Sequence, residues 1–167
     1  MTDSKGFTLI ETLLYIGLFA IVIGGGMVAV YQIIQSTDAN NNLVIVQEEA
    51  NFLLRKINWA LTGATAITTP TALLKYSDAT LQITKNATEY IFDLSSGNLT
   101  LKQGVAGTAL SLNSANVIVS LTAGKHLFQR TIVSGHPDAI TAAFTLTSAL
   151  AGSNNTENFS TTKYLRK

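Results

Sequence analysis

Between Phe7 and Ile34 the chain carries one charged side chain, Glu11, and from Thr12 to Thr37 it carries none. Twenty apolar residues in a helix cross the ~30 Å hydrocarbon core of a bilayer at about 1.5 Å per residue, and Phe7–Ile34 is longer than that. The expected element is a membrane-spanning helix over 7–34. Ahead of it stands Met1-Thr2-Asp3-Ser4-Lys5-Gly6; Lys5 and the N-terminal amine precede the span, and the next Lys or Arg is Arg55. The positive-inside bias therefore predicts a cytoplasmic N-terminus.

A secretory signal peptide is a poor account of this segment. The apolar run exceeds the usual core of roughly 7–15 residues, a carboxylate sits near its start, and no small-x-small cleavage site precedes a polar mature sequence. A plain membrane anchor, tethering an enzyme or a binding module, accounts for the run but not for Glu11. An ionisable group within a membrane span costs about 2.5–3.5 kcal/mol on insertion scales, less near the interface, and points to function.

Lys5-Gly6-Phe7-Thr8-Leu9-Ile10-Glu11 resembles the processing motif of type IV prepilins and type II secretion pseudopilins. In that family a short hydrophilic leader ends in glycine, phenylalanine follows, and a glutamate stands at the fifth mature position. Thr12-Leu13-Leu14-Tyr15-Ile16-Gly17-Leu18-Phe19-Ala20-Ile21 continues the likeness. The resemblance implies a leader over 1–6, a cut between Gly6 and Phe7 by the prepilin peptidase, and N-methylation of Phe7 by the same enzyme. It also implies a role for Glu11 in assembly with other pilin or pseudopilin subunits on a pilus assembly platform. Phe7 and Glu11 share one helical face, and a neighbour shifted axially brings its amine to this carboxylate.

Leu9, Leu13, Ile16, Ala20 and Ile23 follow helical spacing, and the other faces are nearly as apolar, as in a helix facing lipid or a bundle. Gly24-Gly25-Gly26 interrupts the run at a cost of about 3 kcal/mol in helix propensity relative to alanine. It reads either as small-residue packing between membrane helices or as a weak point that extends during assembly. Relatives often carry a proline near this level, which this chain does not.

Past Ile34, the polar stretch Ser36–Asn42 suits an exposed helical turn, a hinge or a short break. Beyond it Val46, Ala50, Leu53, Ile57 and Leu61 form one apolar stripe widened by Leu54, with Glu48, Glu49, Arg55 and Lys56 off it. The spacing predicts an amphipathic helix over 35–62 with a head on its apolar side. Gly63 suits a C-cap, and Pro70 opposes continuation. Phe7–Thr62 as one helix is about 84 Å long.

Residues 63–167 read as a β-rich head. Strands are expected at Thr80–Lys85, Glu89–Leu94, Asn98–Gln103, Thr108–Leu112, Val117–Thr122, Leu127–Val133 and Ala139–Ser148, with turns at Ser95–Asn98, Ala123–His126 and Gly135–Asp138. Ser148–Thr162 reads as loop, with Phe159–Arg166 returning as a last strand. The fold class is α+β: a long N-terminal helix, transmembrane then amphipathic, packed on an antiparallel sheet that wraps it. Glu89–Leu94, Leu99–Lys102 and Phe159–Arg166 are similar to heads of J-type pseudopilins and W-type minor pilins, which implies a minor subunit.

Charged residues make up 13% of the chain, the net charge is +1, and cysteine is absent. That balance offers no basic surface for nucleic acid, and the lack of thiols excludes disulfides and cysteine chemistry. No cofactor or metal site is implied. Ser134, His136 and Asp138 crowd one corner and read as turn residues, because catalytic triads assemble from separate elements. His126 and His136 read as surface loop residues; Trp59, Tyr76, Tyr90 and Phe92 read as core or interface. Lys102, Lys125 and Arg130 read as scattered, solvated cations. Asn86, Asn98, Asn154 and Asn158 open Asn-x-Ser/Thr triplets, which matter only where glycosylation machinery acts on them. The expected product is a non-enzymatic filament subunit: first a single-pass inner-membrane protein in contact with lipid, then part of a pilus or pseudopilus with its head outside.

Overall fold

A computed structural model describes residues 8–132, 134–150 and 155–165. Of the residues singled out above, Lys5, Gly6, Phe7, Val133, Asn154 and Arg166 lie outside the described residues.

One helix, α1, runs over Leu9–Leu61. Gly24–Gly26 is helical, and so is the polar stretch Ser36–Asn42. Of the three readings open for that stretch, the exposed helical turn is the one observed. The Thr37 hydroxyl donates back to the Ile33 carbonyl at 2.9 Å, so this side chain supports the helix instead of competing with it. At the far end the Thr62 N–H and hydroxyl both donate to the Asn58 carbonyl, at 2.9 and 2.7 Å. Gly63 then takes φ +81°, the left-handed conformation that closes a helix without a Cβ clash.

The chain divides into two compact units, Met1–Asn41 and Asn42–Lys167. In the first, none of the most apolar stretch of α1 is buried, and Leu9 to Ile34 are exposed apart from the half-buried Glu11. That surface requires lipid or protein around it. In the second unit the C-terminal part of α1 buries Val46, Ala50, Leu53, Ile57, Ala60 and Leu61, the predicted stripe with Ala60 added. These residues join one cluster with Leu81, Ile83, Phe92 and Leu99 and with Phe128, Ile140, Phe144 and Leu146. Each fully buried large side chain contributes about 1.5–3 kcal/mol.

The strands form two antiparallel five-stranded sheets, where the sequence suggested one. The first orders β1 (Ala64–Thr69), β3 (Thr80–Lys85), β4 (Thr88–Ser95), β5 (Asn98–Gln103) and β6 (Leu110–Ser111). The second orders β10 (Thr156–Tyr164), β9 (Ala139–Ser148), β8 (Phe128–Thr131) and β2 (Tyr76–Ser77), with β7 (Val117–Leu121) also on β9. β9 is the central strand. β10 covers one of its edges throughout, while β8 pairs with Ala139–Ala142 and β7 with Phe144–Ser148 on the other. Strand alternation says which residues face inward but not which strands pair, so the division into two sheets was not legible in the pattern.

Two hairpins turn in two residues. Asn86 and Ala87 take φ +49° and +58°, and Ser96 and Gly97 take +51° and +78°, the type I′ geometry that matches strand twist. Two short segments, β1 and β2, were not anticipated. β1 is interrupted by register shifts at Ala64/Ala66 and Ile67/Thr69, which erase its alternation. The expected Thr108–Leu112 strand shrinks to Leu110–Ser111. The last strand starts at Thr156, inside the expected loop. Its polar composition suits an edge strand whose hydroxyls bond across to β9, Thr162 to Thr141 at 2.9 Å and Thr156 to Thr147 at 3.1 Å; such cross-strand pairs are the unit of sheet stability.

Asn113 joins the two sheets. Its Oδ1 accepts the Leu99 N–H of β5 at 2.9 Å, and its Nδ2 donates to the Val117 carbonyl of β7 at 2.8 Å. Asn113→Ala leaves both backbone groups unpaired and is expected to destabilise the head by about 2–4 kcal/mol. Leu53→Ala is expected to cost about 2–5 kcal/mol, and Leu13→Ala, on the exposed part of α1, close to nothing in the same assay. Denaturant unfolding of the detergent-solubilised chain, followed by the Trp59 fluorescence, measures all three.

Candidate functional site

The candidate site is the start of α1, where the one carboxylate of the apolar segment is placed by the helix terminus. Thr8 precedes the first helical residue. Its carbonyl accepts the N–H groups of Glu11 and Thr12 at 3.1 and 3.2 Å, and its hydroxyl oxygen lies 3.4 Å from the Glu11 nitrogen. Thr8 is therefore the N-cap and Glu11 the third helical residue, the spacing of a capping box. Thr8-x-x-Glu11 is a helix-start signal legible in the sequence itself, in addition to the assembly role the resemblance implies for Glu11. A carboxylate in the first turn also sits at the positive end of the helix macrodipole, worth typically about 0.3–1 kcal/mol. Thr12 reinforces the turn by donating its hydroxyl to the Leu9 carbonyl at 2.8 Å.

Gly6 and Phe7, the expected cleavage pair, lie outside the described residues. Gly24, Gly25 and Gly26 are placed on the helix surface. A Cβ built at any of them meets nothing within 4 Å. Among the described residues there is open space for a side chain at all three positions.

The Ser134–Asp138 corner is not a catalytic arrangement. Asp138 is committed to Arg130, whose Nη2 and Nε donate to the same carboxylate oxygen at 2.6 and 3.1 Å. Arg130 Nη1 also donates to the carbonyls of Ile67 and Pro70, both at 3.2 Å. This corrects the reading of Arg130 as a solvated cation: it fastens β8 to the strand and loop that follow α1. The signal was weak in sequence, since Arg130 and Asp138 belong to different elements and meet only through the β8–β9 pairing. Ser134 and His136 are exposed.

His126 makes more contacts than a free loop residue. Its Nδ1 lies 2.7 Å from an Asp78 oxygen, and its ring stacks on Tyr76 with centroids 4.1 Å apart. Phe92 is core. Trp59 is a partly exposed ring set edge-on to Tyr90, with the Lys85 ammonium 4.3 Å from its centroid. Of the triplet asparagines, Asn86 lies in the β3–β4 turn, Asn98 opens β5, and Asn158 in β10 accepts the Thr145 hydroxyl at 2.6 Å. Among the described residues no three His, Asp or Glu side chains gather as a metal site.

Comparison with known proteins bears on the same end of the chain. Residues 1–27 match the family described as the prokaryotic N-terminal methylation motif. Comparisons with curated proteins and with solved structures find no match. The matched motif and the long apolar helix support a type IV pilin- or pseudopilin-type precursor anchored in a membrane.

Asp138→Ala is expected to cost the head about 1.5–3 kcal/mol, the worth of hydrogen bonds to a charged partner. Ser134→Ala and His136→Ala are expected to stay within about 0.5 kcal/mol of the parent. Thermal unfolding of the three variants side by side separates a structural corner from an incidental one.

Proposed function

We propose that the chain is a structural subunit of a type IV pilus or pseudopilus, cleaved between Gly6 and Phe7, N-methylated on Phe7 and assembled through α1. The observation that carries this reading is the motif itself: Gly6, Phe7 and Glu11 at this spacing, opening an apolar helix whose surface from Leu9 to Ile34 is exposed almost throughout. Glycine before the cut lets an extended backbone approach a protease cleft closely. Methylation keeps the new amine basic, so Phe7 keeps its positive charge.

In the membrane the N-terminus faces the cytoplasm and the head lies on the other side, as Lys5 and the cation-free stretch to Arg55 favour. The partners are the prepilin peptidase and N-methyltransferase, the assembly platform, lipid, and other pilin or pseudopilin subunits. In a filament, α1 leaves lipid for a bundle of like helices. There an unpaired Glu11 carboxylate is strongly penalised, and the Phe7 amine of an axially shifted neighbour satisfies it. Glu11 thereby selects one register between subunits. Gly24–Gly26 is the segment that extends as the subunit leaves the membrane. The head's similarity to J- and W-type subunits supports a minor subunit, present at low stoichiometry in purified filaments.

Mass spectrometry of the processed chain tests the reading: an α-N-methylated Phe7 supports it, and an intact leader in cells with active prepilin peptidase returns the helix to a plain anchor. Glu11→Ala is expected to lose its leader normally and to fall by more than ~10-fold in filament incorporation, since one unpaired buried charge costs about 3–5 kcal/mol. Glu11→Gln, which keeps a hydrogen bond without the charge, is expected to fall less. Replacing Gly24, Gly25 and Gly26 together by alanine stabilises the helix and is expected to slow incorporation without affecting leader loss. Immunoblots of membrane and sheared-filament fractions read both steps for every variant, and normal incorporation of Glu11→Ala overturns the charge-pairing role.

A further inference from the structure

Among the described residues the two sheet orders end on β1 and β6 and on β10 and β2, and three of these edges are blunted. β2 and β6 are two residues long, and β1 is broken by register shifts, devices that discourage pairing with another chain. β10 differs, because its nine residues pair with β9 in one unbroken register. The Ser148 N–H donates to the Asn155 carbonyl and the Leu165 N–H to the Asp138 carbonyl, at 2.9 and 2.8 Å. Odd-numbered residues of β10 therefore direct their backbone groups at β9. Antiparallel alternation turns those of Thr156, Asn158, Ser160, Thr162 and Tyr164 toward the outer edge, and the side chains of these five residues are exposed.

Two opposite charges bracket the middle of this strand. Glu157 and Lys163 stand at equal distances in sequence on either side of Ser160, half-buried on the face that carries Phe159. Among the described residues neither has an ion-pair partner. We propose that β10 pairs edge to edge with β10 of a second copy, antiparallel about Ser160. In that register Thr156 faces Tyr164 and Asn158 faces Thr162, so the outward backbone groups exchange ladder hydrogen bonds. Glu157 of each copy faces Lys163 of the other at a non-hydrogen-bonded position, where side chains come closest. The half-buried Phe159 rings of the two copies become diagonal neighbours. A slip of two residues either way is the smallest that keeps the outward groups opposed. It sets Glu157 against Thr161 or Leu165 and Lys163 against Asn155 or Phe159, so both charges lose their partners. Charges that deter general edge pairing thus admit this one register. The two-fold axis is normal to the sheet, and α1 packs its buried stripe flat against the strands, so α1 of the second copy runs the opposite way. Copies in one membrane or one filament share a direction, and the contact therefore joins copies on separate filaments. The pairing rests on the head alone, and its placement rests on the filament reading.

The chain contains no cysteine, so introduced thiols report the contact without background. Full-length Ser160→Cys, purified in detergent and oxidised mildly, is expected to form a disulfide dimer. Thr156→Cys alone is not, because Thr156 of the second copy stands about 27 Å away along the ladder; mixed with a differently tagged Tyr164→Cys chain, it is expected to give the mixed dimer. In the Ser160→Cys background, Glu157→Lys is expected to lower the dimer ~10-fold by setting like charges opposite each other. Adding Lys163→Glu to the same chain is expected to restore it. Absence of the Ser160→Cys dimer, self-pairing of Thr156→Cys as strong as the mixed pair, or no restoration by the swapped charge overturns the pairing. Sheared filaments from Thr156→Cys cells and from Tyr164→Cys cells are then mixed and oxidised. Mixed-tag dimers uphold the contact between filaments, and their absence beside a detergent dimer overturns that placement. A disulfide to a different protein in place of the second copy overturns the pairing. Cells whose filaments lack the chain sink the filament reading, and the detergent dimer still upholds the pairing.

Discussion

The head depends on removing one helical stripe from water. Val46, Ala50, Leu53, Ile57, Ala60 and Leu61 are essentially inaccessible, and strands from both sheets contribute to the cluster that covers them. A sheet needs a second layer to bury its apolar face, and these short strands find part of theirs in α1. The stripe is thus shared by strands of both sheets, through Leu81, Ile83, Phe92 and Leu99 on one side and Phe128, Ile140, Phe144 and Leu146 on the other. It also sets which face of the helix is left outward, with Glu48, Phe52, Arg55 and Trp59 on it.

The two units meet different solvation demands within one secondary-structure element. Over residues 9–34 the helix is apolar nearly all round and its surface is exposed; over residues 42–61 it is two-faced and buries one side. Backbone hydrogen bonding is satisfied alike in both, so helix continuity does not depend on what surrounds the side chains. Thr8 at one end and Gly63 at the other terminate the element by ordinary capping chemistry.

Polar joints secure what apolar burial cannot orient. Asn113 ties β5 to β7 through backbone groups of both. Arg130 binds Asp138 and two carbonyls in the segment following α1. Asn58 reaches from the helix to the Thr161 hydroxyl of β10 at 3.2 Å. Each joint links different parts of the fold and fixes a relative position, because a hydrogen bond is directional where hydrophobic contact is not.

The sequence by itself determined the elements whose cause is local. The long helix, its apolar and amphipathic parts, the Gly63 cap, the Ser95–Asn98 turn and the strands Thr80–Lys85, Asn98–Gln103 and Ala139–Ser148 all follow from periodicity and turn chemistry within a few residues. The N-terminal methylation motif matched over residues 1–27 is equally local, being a matter of residue type and spacing. Tertiary structure alone decided the pairing of strands into two sheets, the recruitment of the polar Thr156–Tyr164 segment as an edge of β9, and the conversion of Arg130 from an apparent surface cation into a structural joint. Those outcomes depend on which segments become neighbours after the chain closes loops of tens of residues. Side-chain pattern records how a strand faces, and only the packed chain settles what lies beside it.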